Sequence, residues 1–394
     1  RAGPQAPGAL VILPGATVGV VGGGQLGRMF TLRARTMGYK VVVLDPDPLS
    51  PAGAVADRQI RAAYDDPRAL AELSAACAAV TTEFENVPAK TLETLGRSSI
   101  VRPPVAAVAV TQDRIAEKRF LQSHGFATAP YRSIETQGDI PDAIRALSGP
   151  AILKTNRLGY DGKGQAVVMS EAEAAEAFDR FGRVTCILET RLELQYELSV
   201  IVARGADGEV ATFPVAENRH VAGILDTSIV PARIPESLAA RARETATRVA
   251  EALDYVGVLA VELFVVEGGL VVNEMAPRPH NSGHYTLDAC SVDQFEQQLR
   301  SLCGLPLARP WLLSPVVMVN LLGDLWANGE PRWDEALKRP GVRLHLYGKA
   351  EPRKGRKMGH LNCLAAEPGI ALALALETRD ALAASQGVPA GRSS

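Results

Sequence analysis

The sequence predicts an α/β protein built from several domains. Short β-branched runs alternate with helical segments from Thr17 onward, beginning with a strand, a glycine-rich turn, a helix and a second strand. Farther along, two apolar runs flank Glu267-Gly268-Gly269 and read as a hairpin. The chain has 394 residues, enough for two or three domains with real cores.

Residues 1–15 are rich in Pro, Gly and Ala and are expected to fray. Thr17–Val21 is a short buried strand, Gly22-Gly23-Gly24-Gln25-Leu26-Gly27 opens a helix running to about Gly38, and Val41–Asp45 is the next strand. This is a βαβ unit with GxGxxG spacing and an acid, Asp45, where a ribose-binding aspartate would sit. Alone it suggests a dinucleotide-binding oxidoreductase; the alternatives are a turn used for packing or for another phosphate. Ala54–Ile60 and Ala78–Glu83 read as further strands, with a helix at 66–76 between them. Glu83 and Glu85 then stand at the carboxyl end of a strand, where open α/β sheets bind ligands, or else begin the helical run after Pro88.

Thr111–Arg114, with Glu117 and Lys118, opens a helix that ends near Gly125. Pro150–Lys154 is a strand ending in lysine. A glycine-rich loop, Asn156–Gly164, follows it and leads into the strand Gln165–Met169. Such a loop offers backbone donors to phosphate oxygens, with Lys154 supplying charge. No GK[ST] follows the glycines, so it is not a Walker A loop; the competing reading is a plain hairpin turn. A helix is expected over 170–181. Two strands then carry acids at their ends, Thr185–Glu189 and Glu197–Val202, where a carboxylate can hold ribose hydroxyls.

Residues 236–253 form an Ala- and Arg-rich amphipathic helix ahead of the hairpin. With a three-residue loop at 267–269, Val266 faces Leu270 and Glu262 falls opposite Glu274; a two-residue Gly-Gly loop would pair Glu274 with Leu263 instead. Two carboxylates facing each other repel unless a divalent cation lies between them, and magnesium takes one or two carboxylates plus water and phosphate oxygens. The bland alternative is a solvated hairpin with two surface glutamates. The polar run Pro277–His284 has the character of a ligand-touching loop. A helix at 292–303 and strands at 315–322 and 342–347 follow. The loop after them concentrates five cations, Lys349, Arg353, Lys354, Arg356 and Lys357. It is either a solvated basic turn or the seat of an anionic substrate.

A net charge of −2 argues against a broad nucleic-acid-binding surface, and no apolar run reaches the roughly 18 residues of a membrane span. Residues 9–13 are too short for the core of a secretory leader. Cys77, Cys186, Cys290, Cys303 and Cys363 show no CxxC spacing and read as reduced structural thiols of a cytoplasmic protein.

Taken in order, the glycine-rich βα turn, Lys154, Gly159–Gln165, Glu189, Glu197, Glu262 and Asn273–Arg278 together resemble the ATP-grasp carboxylate–amine ligases. Within them, Gly22–Met29, Thr82–Asn86, Gly159–Gly162, Pro277–His284 and Gly355–His360 are similar to the N5-carboxyaminoimidazole ribonucleotide synthases of purine synthesis. The resemblance implies an ATP-grasp architecture: an N-terminal Rossmann-like (preATP-grasp) domain over 16–112, a small α+β lid over 113–196 and a C-terminal α+β domain over 197–390. It also implies ATP between lid and C-terminal domain, and a homodimer. The implied reaction joins ATP, bicarbonate and aminoimidazole ribonucleotide through carboxyphosphate.

By the same likeness Glu262 and Glu274 hold magnesium, with manganese as a substitute. ATP contacts fall on Arg114, Lys154, Gly159, Tyr160, Asp161, Gly162, Lys163, Gly164, Gln165, Glu189, Thr190, Arg191, Leu192, Glu197, His220, Asn273 and Glu274. The ribonucleotide and carboxyphosphate fall to Gly24, Gln25, Leu26, Glu83, Tyr160, Lys163, Arg278, His280, Asn281, Ser282, Lys349 and Arg356, with Asp161, Arg278, Lys349 and Arg356 closest to the chemistry. Rival readings are another ATP-grasp ligase, of the biotin carboxylase or formate-dependent glycinamide ribonucleotide transformylase kind, and a dehydrogenase. The last accounts for residues 17–45 alone. A non-catalytic nucleotide binder on the same fold would be expected to have lost the metal carboxylates.

Overall fold

The computed structural model describes residues 11–159 and 162–383. Its first sheet consists of β1 (Thr17–Val21), β2 (Lys40–Leu44), β3 (Arg58–Ile60), β4 (Ala79–Thr82) and β5 (Ile100–Val101), all parallel, in the order β3-β2-β1-β4-β5. The central strands are buried on both faces, which is why Val18–Val21 and Val41–Leu44 read as apolar runs. Val18 and Val20 pack into one core with Leu26, Met29 and Phe30 of helix α1 (Gln25–Thr36); Val21 faces the opposite core with Leu73 of α2 (Pro67–Ala76) and Leu92 of α3 (Ala89–Gly96). A further helix, α4 (Val105–Thr111), follows β5.

Two expectations are corrected here. Only Arg58–Ile60 of the strand expected at 54–60 pairs with β2, because Gly53–Val55 is taken up in a 3-10 turn whose entry residue Ala52 donates its amide to Gly23 O at 2.8 Å. Fraying is expected over residues 1–15; residues 1–10 lie outside the described residues, but Ile12 is buried, its N–H donates to Cys303 O at 2.8 Å, and its carbonyl accepts from Tyr39 OH at 2.7 Å.

The glycine turn between β1 and α1 is filled from within the chain. The carboxylate of Glu83 accepts from Gly24 N at 2.8 Å and Gly27 N at 3.0 Å, and Asp45 accepts from Gly23 N at 2.6 Å. A Cβ at Gly24 would collide with the Glu83 carboxylate. The helix N-terminus that would receive a pyrophosphate in a dinucleotide enzyme is thus already occupied by the Glu83 carboxyl group.

Helix α5 (Arg114–Ser123) is opened by Asp113, whose side chain caps Ala116 N at 2.9 Å. Behind it lies a four-stranded antiparallel sheet, β6 (Tyr131–Ile134), β7 (Ala151–Thr155), β8 (Gln165–Val168) and β9 (Cys186–Thr190), in the order β6-β9-β7-β8. Its core is covered by α6 (Ile140–Leu147) and α7 (Glu171–Arg180), with Ile134, Leu153, Phe178 and Leu188 at the centre. Leu121 of α5 instead packs with Leu198, Leu263 and Val272 under the third sheet. The helix expected to begin the middle domain therefore belongs physically to the C-terminal core.

The third sheet has nine strands: β10 (Tyr196–Arg204), β11 (Val210–Thr212), β12 (Ala216–Val221), β13 (Ile224–Val230), β14 (Gly257–Val266), β15 (Gly269–Ala276), β16 (Val316–Leu322), β17 (Val342–Leu346) and β18 (Lys357–Leu364). β15 is one edge, hydrogen-bonded to β14. α8 (Glu236–Ala252) covers β10 and β14, and α12 (Pro368–Ala383) covers β16 and β18; α9 (Thr286–Ala289) and α11 (Trp333–Leu337) are short. Among the described residues no helix is long and apolar enough to cross a membrane.

Helix α10 (Gln294–Cys303) joins the first sheet to the third. Phe295, Leu299 and Leu302 lie in the core of α1 and β1, and Arg102 caps the helix end by donating to Ser301 O at 2.6 Å and Leu302 O at 2.9 Å. Buried Gln298 accepts from Val258 N at 2.6 Å and donates to Thr81 Oγ1 at 2.8 Å.

Two outcomes are expected. Gln298→Leu orphans the Val258 N–H, a loss of about 1–3 kcal/mol, so the urea midpoint should fall; an unchanged midpoint would mean that the bridge contributes nothing. NADH should not bind, because Glu83 occupies the turn. Saturable fluorescence change at micromolar NADH would contradict this.

Candidate active site

The hairpin β14–β15 supplies the centre of the site. Val266 pairs with Gly269 across a two-residue loop, Glu267-Gly268, so the three-residue loop expected from the sequence does not form. That shorter loop alone would slip the pairing by one. A β-bulge restores it: Leu263 pairs with Val272, Asn273 is the extra residue, and Glu262 stands directly opposite Glu274. Opposed residues of an antiparallel pair share a face, so both carboxylates project into the same cleft.

Their environments split them. Burial, then the charge of Glu274, pushes the Glu262 carboxyl above the usual range. Burial acts on Glu274 in the same sense, but Arg114, 2.9 Å away at Nη1, overrides it and holds that carboxyl low. His280 Nε2 lies 3.5 Å from Glu262 Oε1. Burial, then the neighbouring Arg278, pushes His280 down to about 3, so the imidazole meets Glu262 neutral and the contact is not an ion pair. This donor set suits a hard divalent cation, which would remove the repulsion between the two carboxylates.

Around the pair, the cleft collects side chains from all three sheets. From the four-stranded sheet, Lys154 donates to Glu189 Oε2 at 3.0 Å, while the buried Glu189 Oε1 has no partner. Ile152 is in register with Glu189, and Phe264 with Glu197, adding apolar wall suited to a flat ring. Glu197 bonds His220 Nδ1; burial opposes charging of this imidazole, but the Glu197 hydrogen bond prevails and raises its pKa. Arg114 Nη2 reaches Gly159 O at 3.3 Å, tying α5 to the glycine loop.

At the far end, Arg278 pairs with Glu85, and Lys349, Arg353, Lys354, Arg356 and Lys357 line the wall. Lys349 Nζ donates to Lys357 O at 2.7 Å, and Arg356 Nη1 to Glu351 O at 2.9 Å.

Most sequence-predicted residues meet in this one cleft: Gly24, Gln25, Leu26, Glu83, Arg114, Lys154, Gly159, Gly162, Lys163, Gln165, Glu189, Thr190, Arg191, Leu192, Glu197, His220, Glu262, Asn273, Glu274, Arg278, His280, Asn281, Lys349 and Arg356. Tyr160 and Asp161 lie outside the described residues. Two others do not face the cleft. Ser282 is fully buried in a 3-10 turn, where its hydroxyl accepts from Ser199 Oγ at 2.7 Å and lies 2.9 Å from His280 Nδ1. Gly164 has φ +69° and sits against Thr155 as a turn residue. Sequence reasoning did not assign Glu117 or Lys118, ionisable residues that are buried on α5; their places one turn beyond Arg114 were the available signal.

Family models match the chain as a ribonucleotide synthetase preATP-grasp domain over residues 15–112, an ATP-grasp domain over 119–295 and a phosphoribosylaminoimidazole carboxylase C-terminal domain over 316–373. The N5-carboxyaminoimidazole ribonucleotide synthase of Brucella melitensis is 48% identical over 351 residues, spanning 88% of this chain and 96% of its own. The crystal structure of N5-carboxyaminoimidazole synthetase from Staphylococcus aureus complexed with ADP superposes with a TM-score of 0.89 at 38% identity, over 95% of this chain and 100% of that one. The Aspergillus clavatus N5-carboxyaminoimidazole synthase in complex with ADP and 5-aminoimidazole ribonucleotide gives 0.86 at 30% identity, over 93% and 98%. With an ATP-grasp fold, a facing carboxylate pair and relatives aligned along nearly their whole length, the chain belongs to the N5-carboxyaminoimidazole ribonucleotide synthase family.

Proposed function

We propose that this cleft carries out the ATP-dependent carboxylation of 5-aminoimidazole ribonucleotide by bicarbonate, the reaction of its relatives in purine biosynthesis. The observation that carries the reading is the Glu262–Glu274 pair, set between nucleotide-type groups at Lys154 and Glu189 and a wall of cations at 349–357.

A bicarbonate oxygen attacks the γ-phosphorus, the bond to ADP breaks, and carboxyphosphate forms. The substrate amine then attacks its carboxyl carbon, the C–O bond to phosphate breaks as the N–C bond forms, and one amine proton leaves with the departing phosphate. Lys154 and the 159–165 loop are suited to the ATP phosphates, and the unpartnered Glu189 oxygen to a donor on the nucleoside. Glu197, His220, Thr190, Arg191 and Leu192 complete that wall. Magnesium at Glu262 and Glu274, when bound, neutralises charge on the transferring phosphoryl group. Arg278, His280, Asn281, Lys349 and Arg356 face bicarbonate and the ribose phosphate, with Gln25, Leu26 and Glu83 at the first-domain side. His280 is neutral, so it serves as a hydrogen-bonding group there and not as a cation. Tyr160, Asp161 and Lys163 complete the reading from the glycine loop, and the same likeness extends to a homodimer.

Two substitutions test the assignment. Glu274→Gln keeps shape but removes a charge. It should lower turnover about a hundredfold or more, a loss of about 3 kcal/mol, with stability little changed; near-normal phosphate release at saturating magnesium would refute the paired-carboxylate site. Arg356→Ala should raise KM for the ribonucleotide about tenfold, about 1.5 kcal/mol, and leave KM for ATP nearly unmoved. An equal effect on ATP would put the basic loop over the nucleotide instead.

A further inference from the structure

The bulge that brings Glu274 opposite Glu262 lies on an edge strand, and an edge strand presents unpaired backbone groups free to slip. Here one face of α5 satisfies them. Glu117 Oε1 accepts from Met275 N at 2.6 Å, and Lys118 Nζ donates to Asn273 O at 2.7 Å. Just beyond the helix, Ala127 O accepts from Val272 N at 2.8 Å. Arg114, one turn earlier, grips the Glu274 side chain itself.

Glu117 and Lys118 are almost fully buried, at 2% and 1% exposure. Burying two ionisable side chains is costly unless each has a specific hydrogen-bond partner, and an apolar pair would cover the edge more cheaply if cover were the only need. These partners are the backbone groups on either side of Glu274. Lys118 Nζ also approaches Glu189 Oε2 at 3.7 Å, the same oxygen that Lys154 holds.

We infer that Glu117 and Lys118 are positioning residues for the divalent-cation site: they clamp the Asn273 bulge and so hold Glu274 opposite Glu262. The role assigned to them runs through the backbone, at Met275 N and Asn273 O, although Glu117 also lines the cleft. The inference rests on the reading of Glu262 and Glu274 as metal ligands. Outer-shell partners of this kind are worth roughly 10–100-fold in metal affinity.

The test is an electron paramagnetic resonance titration of Mn2+ into the full chain with saturating ADP, alongside the Mg2+ dependence of turnover. Glu117→Leu removes the acceptor for Met275 N. Lys118→Met removes the donor to Asn273 O and keeps an apolar stem. Each should weaken Mn2+ about tenfold or more and raise the half-saturating Mg2+ concentration, with turnover largely recovered at high Mg2+. Glu117→Gln keeps an acceptor oxygen and should bind Mn2+ within about twofold of the unaltered chain. Glu117→Asp keeps the carboxyl group and pulls its oxygens back by one methylene, and it replaces Glu117→Leu if that variant fails to fold; Lys118→Arg, which moves the donor, does the same for Lys118→Met.

Glu274→Gln separates the two claims. If it weakens Mn2+ while Glu117→Leu and Lys118→Met bind within twofold of the unaltered chain, the positioning role is wrong. If Glu274→Gln itself binds Mn2+ normally, the metal reading fails first.

Discussion

Everything in the cleft depends on keeping two like charges face to face. Glu262 and Glu274 sit in otherwise apolar strands, and a sheet gains nothing from pairing them. The fold sustains the pair by unequal treatment. Arg114 neutralises one carboxylate from outside the hairpin, while burial leaves the other reluctant to ionise. The repulsion that remains is of the kind a compact divalent cation would relieve.

The cleft is divided by sign. At one end the carboxylates Glu274, Glu189 and Glu197 meet Arg114, Lys154 and His220; at the other, Arg278 and the five cations of the 349–357 loop line the wall. A nucleoside triphosphate brings its charge with its metal, whereas a ribose phosphate and bicarbonate do not. The asymmetry of the walls therefore matches two kinds of anion, and the neutral His280 stands at their boundary without adding charge.

Much of this was legible in the sequence because it was written in local pattern. The GxGxxG turn, the lysine at a strand end and the glutamate hairpin each have a period or a spacing. The facing of Glu262 and Glu274 was expected for a wrong reason. The loop is shorter by one residue and the bulge at Asn273 compensates, and a bulge leaves no trace in alternation when its extra residue is a polar one beside a polar one. What stayed illegible depends on contacts far apart in the chain. Glu83 spans 59 and 56 residues to reach Gly24 and Gly27, which turned an apparent dinucleotide fingerprint into a closed cap. Ser282 looked like a ligand because it sits in a polar run, but a 3-10 turn directs it inward.

Helix α10 belongs to two cores at once, with its apolar face against α1 and β1 and Gln298 joined to β14. The four-stranded sheet differs, since its core draws only on residues between Ile134 and Leu188. Swinging it breaks no apolar cluster, whereas separating the other two sheets would break one. The first and third sheets thus share an apolar core, while the sheet carrying Lys154 and the glycine loop has a core of its own and meets α5 through polar contacts, Arg114 to Gly159 O and Lys118 to Glu189.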